Sequence, residues 1–159
     1  MKNQRKAFSK ELYAAGEEAE VFVMNQINKY PENFDGLEPG KFLVARNSDK
    51  DGVDLIVLTK SADGYYSESF GVEVVRRSNI DYGTIFIEGN KTRYYKDNLP
   101  IMVIVVNVGM TKALVLDTDK PISGFPSKLT NYNAEGTDEL NYLIPRSVFA
   151  EWDFETKAS

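Results

Sequence analysis

The run Ile101-Met102-Val103-Ile104-Val105-Val106 constrains this chain more than any other segment. Six consecutive apolar residues, all but one β-branched, are far fewer than a membrane span needs and lack the polar alternation of a half-exposed strand. The run reads as a strand buried on both faces. Such a strand requires a covering layer on each side, which points to a central sheet with flanking helices. Lys112-Ala113-Leu114-Val115-Leu116-Asp117 is its expected partner, joined through Gly109.

Two other β-forming runs each carry an acidic residue: Asp54 in GVDLIVLTK and Glu73 in FGVEVVRR. A carboxylate inside an apolar strand is costly unless something positive compensates it. Between the runs, Ser61-Ala62-Asp63-Gly64 has the composition of a hairpin turn. A two-residue turn at Ala62-Asp63 places Asp54 opposite Gly71, with Glu73 two residues further along the same face. An odd-numbered loop would put the two acids on opposite faces. Two carboxylates on one face of adjacent strands suggest a divalent metal site.

Composition narrows the chemistry. The chain has 159 residues and is 42% hydrophobic, enough for one domain with a real core, expected over 1–159. Without cysteine there are no disulfides, zinc ribbons or thiol nucleophiles, and without histidine no Ser-His-Asp or histidine-metal catalysis. Any general acid or base must be Asp, Glu, Lys or Tyr. Any metal would have oxygen ligands, which favours magnesium, manganese or calcium. No long apolar run and no signal-peptide pattern is present, so a cytoplasmic protein with no membrane association is expected.

The net charge of −5 works against general phosphate affinity. The basic residues nevertheless cluster, at Lys2, Arg5, Lys6 and Lys10, at Arg76-Arg77, and at Lys91, Arg93 and Lys96. The acidic excess falls elsewhere, at Asp117, Asp119, Glu135, Asp138, Glu139 and after Glu151.

Along the chain, Leu12, Ala15, Ala19, Val23 and Ile27 step by three or four, predicting a helix from about Ser9 to Asn28 with one buried stripe. Tyr30-Pro31 stops it. Strands are expected at 41–45, around Asp54 and around Glu73, with a short extended piece at 84–87. Short helices are expected at Thr92–Asn98 and Arg146–Trp152. Residues 118–141 are polar and turn-rich and read as an irregular insertion, before Tyr142-Leu143-Ile144-Pro145 returns to the body.

Helix, aspartate strand and glutamate strand, in that order, resemble the PD-(D/E)XK nuclease superfamily. There an N-terminal helix carries a glutamate, a second strand an aspartate and a third strand E-x-K. Ala15-Gly16-Glu17-Glu18-Ala19-Glu20-Val21-Phe22-Val23 resembles the helix pattern, with Glu20 the best match and Glu17 the alternative. Gly52-Val53-Asp54-Leu55-Ile56-Val57 matches the aspartate strand, and Gly71-Val72-Glu73-Val74-Val75 the E-x-K strand. Lys91-Thr92-Arg93-Tyr94-Tyr95 is similar to a lysine-tyrosine pattern seen before the second helix in that family. The motifs are short, and the ordered set carries the resemblance over roughly residues 10–152. One departure stands out: Val75 occupies the lysine position.

The resemblance implies a mixed α/β, restriction-endonuclease-like fold and a metal-dependent phosphodiester hydrolase acting on DNA. Asp54, Glu73 and the Val74 carbonyl would hold Mg²⁺ or Mn²⁺, with Glu20 on a bound water or second ion. Arg77, on the Glu73 face by strand alternation, or Lys91 or Lys60 would replace the missing lysine; Arg76 should point the other way. Arg76, Lys91 and Arg93 are the candidate phosphate contacts. A homodimer is an allowed assembly. Two other readings stand beside this one. Val75 favours a decayed nuclease-like module that binds nucleic acid or assembles with protein, and the net charge favours a purely protein-binding accessory domain.

Overall fold

A computed structural model describes residues 17–34, 36–47, 53–88, 100–117, 122–130 and 139–153. The apolar run forms strand β5 (Ile101–Asn107), and all of residues 101–106 are buried, as a central strand requires. Its neighbours are β3 (Tyr66–Arg77), paired parallel, and β6 (Lys112–Asp117), paired antiparallel. Strands β1 (Phe42–Arg46) and β2 (Leu55–Lys60) extend the sheet beyond β3 as an antiparallel meander. At the other edge β9 (Ala150–Asp153) pairs with β6, giving the order β1-β2-β3-β5-β6-β9.

Side-chain alternation divides the core into two layers. Phe70, Val72, Val74, Met102, Ile104 and Val106 face one way and pack against Ala19, Val23 and Ile27 of helix α1, which covers residues 17–29. Ala19, Val23 and Ile27 of the expected stripe are therefore the buried face of the helix, while Ser9, Leu12 and Ala15 lie outside the described residues; full burial of Val23 and Ile27 contributes about 1.5–3 kcal/mol each. Val75, Val103 and Val105 face the other way. There they meet Ile85 and Ile87 of β4 (Thr84–Glu88) and Ile144 of β8 (Glu139–Pro145). With β7 (Ser127–Thr130), β4 and β8 make a three-stranded antiparallel sheet in the order β4-β8-β7. The protein is thus mixed α/β, mostly strand. Among the described residues, no helix is long and apolar enough to cross a membrane.

Three expectations are corrected. The segment 118–141 contains a short 3-10 turn (Ile122–Gly124), all of β7 and the start of β8, so it builds a layer where an irregular insertion was expected. Its polar, turn-rich composition hid strands that are short and open to solvent: β7 is exposed along most of its length. The closing helix at Arg146–Trp152 is instead one 3-10 turn (Arg146–Val148) followed by edge strand β9. Trp152 pairs with Ala113 there and sets its ring edge-on to Phe34, 4.8 Å between centroids. The expected helix at Thr92–Asn98 lies outside the described residues.

The third correction concerns the β2–β3 hairpin. Lys60 pairs with Tyr66, leaving the five residues 61–65 in the loop. That odd count alone would turn Asp54 and Glu73 to opposite faces. A register shift between Val57 and Leu58 moves the pairing by one, so that Leu55 pairs with Val72, but Asp54 lies in the bend before β2, outside the ladder, and strand parity does not set its face. Gly71 pairs with Ile56, so Asp54 does not lie opposite it as a two-residue turn implies.

Candidate acidic site at the mouth of strand β2

Asp54 sits at a bend just before β2. Its peptide carbonyl accepts the Asn47 N–H at 2.9 Å, and its carboxylate Oδ2 accepts the Val74 N–H at 2.8 Å. Asp54 thus continues the sheet with its side chain where the β2 backbone has turned away. The turn is held by close packing: an ideal Cβ on Gly71 would come within 2.8 Å of Val53 Cγ2, so Val53 lies directly on the glycine backbone.

Glu20 approaches from α1. It is one residue after buried Ala19, at the border of the packed stripe, and its carboxyl is close enough to Asp54 for the two acids to interact. Burial pushes its pKa above the ordinary carboxylate value; the Arg46 guanidinium, bonded to it, opposes that shift, and the nearby Asp54 carboxylate adds to it. Arg46 Nη2 is 2.9 Å from Glu20 Oε2 and 3.9 Å from Glu17 Oε1.

Glu73 is placed differently. It is 2% exposed, paired in register with Val103, and on the face of β3 that carries Val75 toward the second sheet. Glu20 belongs to the opposite, helix-covered face. The structure therefore brings Glu20 and Asp54 together at the end of β2, with Glu73 entering from the other layer. Among the described residues, no three acidic side chains group closely enough to hold a metal ion. A Mg²⁺ ion is compatible with less, since it is commonly held by one or two carboxylates and retains several waters. The hard oxygen donors of the Glu20–Asp54 pair fit that pattern.

The cations sort by strand parity. Arg76 turns to the helix side, its Nη1 3.3 Å from Glu18 Oε2 and its Nη2 donating to the Val108 carbonyl. Arg77 turns to the Glu73 side, where its guanidinium donates to the Phe86 carbonyl of β4 at 3.2 Å and to the Arg76 carbonyl at 3.3 Å. Val75, two residues past Glu73, is 4% exposed within the apolar layer. Lys60 lies at the far end of β2, with its Nζ 6.0 Å from the centroid of the Tyr66 ring, about 20 Å along the strand from Asp54. Lys91 and Arg93 lie outside the described residues. Arg46 was not singled out from the sequence. The signal for it was there, since Phe42, Val44 and Arg46 alternate on one face and the first two are apolar. No protein-family model matches this sequence, and no curated protein matches it.

Proposed function

We propose that this chain is a metal-dependent phosphodiester hydrolase acting on DNA, with a restriction-endonuclease-like arrangement. The observation that carries the proposal is the Glu20–Asp54 pair, assembled from a helix and a strand mouth and fixed by the Val74 N–H. The order helix, antiparallel meander, then a parallel return strand beside the glutamate strand supports it. Glu20 and Asp54, with the Val74 carbonyl and Glu73, would hold Mg²⁺ or Mn²⁺. Such an ion supplies Lewis acidity and charge neutralisation for phosphodiester hydrolysis. Asp54 would orient the ion against β3, and Arg77 would supply a cation from the Glu73 side. Arg76, with Lys91 and Arg93, would meet the DNA backbone.

The test is cleavage of plasmid, single-stranded and branched oligonucleotides in millimolar Mg²⁺ or Mn²⁺. Metal-dependent cleavage by the wild type that is lost in Asp54→Asn and Glu20→Gln is the expected result. Cleavage that survives both substitutions would sink the assignment. A second reading, a nuclease-like module that binds nucleic acid without cutting it, is favoured by one observation: β3 offers apolar Val75 where the family places its lysine. Losing one charge-stabilising donor typically costs about 10²–10³ in rate. DNA binding at low salt with no cleavage under any metal condition would select that reading.

A further inference from the structure

We propose that Arg46 is a built-in counter-ion that competes with the divalent cation for Glu20, resting on the hydrolase reading above. Strand parity aims it: Phe42 and Val44 pack into the helix-side core, and Arg46 follows them on the same face at the end of β1. Its guanidinium reaches α1, 2.9 Å from Glu20 and 3.9 Å from Glu17. The position is anchored from both sides. Arg46 pairs with Leu55, the residue after Asp54, and the next residue, Asn47, donates its N–H to the Asp54 carbonyl at 2.9 Å. The pairing that sets Asp54 beside Glu20 thus also sets a cation beside Glu20.

Two adjacent carboxylates draw positive charge, and here the chain supplies it. A divalent ion must either displace the guanidinium from Glu20 or share the carboxylate with it. Sharing leaves two cations on one group and weakens the hold on both. Either route lowers the apparent affinity of the ion by what the Arg46–Glu20 pair is worth. The pair is partly exposed, with side chains 40% and 21% accessible. Pairs of that kind correspond to roughly two- to fivefold in affinity. Arg46 would then keep the acidic pair ordered without the ion, and set the ion concentration at which the site fills.

Calorimetric titration of Mn²⁺ into the full chain tests this, with circular dichroism confirming that each variant is folded. Arg46→Gln is expected to bind Mn²⁺ roughly two- to fivefold more tightly than wild type, and Mn²⁺ should raise its melting temperature by more. Arg46→Lys, which keeps the charge but not the planar fork, should fall between the two. Suppose instead that wild type binds Mn²⁺, Asp54→Asn does not, and Arg46→Gln binds equally or more weakly. The competition is then overturned while the metal site stands. If neither wild type nor Arg46→Gln binds Mn²⁺, the metal site and the competition fall together.

Discussion

The carboxylate of Asp54 accepts the backbone N–H of Val74 at 2.8 Å, one residue past buried Glu73. One side chain therefore has two duties, completing the edge of β3 and presenting negative charge to Glu20. The duties can be separated. Asp54→Asn keeps an acceptor for Val74 and removes the charge beside Glu20, so its stability should stay within about 1 kcal/mol of wild type. Asp54→Ala leaves the N–H without its charged acceptor and should cost about 1.5–3 kcal/mol. Urea unfolding of the two variants measures the difference, and equal losses would mean the hydrogen bond contributes nothing.

Glu20 makes stability depend on pH in a definite direction. Its folded pKa lies above the ordinary 4.5, because burial, then Asp54, outweigh the opposing Arg46. Between the unfolded and folded values the native state holds more protons, so stability falls as pH rises through that window. The contribution is fully present below about pH 4.5 and lost above the raised value. Glu20→Gln should therefore melt above wild type at pH 7, with the gain vanishing below about pH 4.5. Melting curves at the two pH values decide it; a gain that is constant with pH contradicts the shift.

Gly71 is required by its neighbour, since an added Cβ would lie 2.8 Å from Val53 Cγ2 and 3.1 Å from Cγ1. Gly71→Ala should cost about 1–3 kcal/mol through overpacking. Adding Val53→Ala should recover part of that loss, giving a favourable coupling in a double-mutant cycle. Strictly additive losses would show that the contact does not set the bend.

A lysine at position 75 is predicted to fail for a physical reason. Val75 is sealed among Ile85, Val103 and Val105 between the two sheets. Val75→Lys forces an ammonium into that layer and should destabilise by several kcal/mol, beyond the typical range for a point substitution. A variant that unfolds at the wild-type urea midpoint would mean that the layer admits water or that Glu73 accepts the new charge as a partner.

The legible parts of this protein are those set by local periodicity. The α1 stripe through Ala19, Val23 and Ile27, the doubly buried run of β5 and the order of β1, β2 and β3 follow from apolar spacing alone, because burial of a face leaves its period in the sequence. The two acids were legible for the same reason, as charges out of place in apolar runs. What the tertiary structure decided depends on single-residue counts and on distant packing. One register shift between Val57 and Leu58 offset the pairing set by a five-residue loop, and nothing in the composition of either strand announces it. Trp152 lies on an edge strand because Ala113 and Phe34 receive it there, while its own segment reads equally well as a helical turn. The partner of Glu20 was decided the same way. Arg46 reaches it across 26 positions of sequence, and only the packing of β1 beneath α1 brings that cation to the acid.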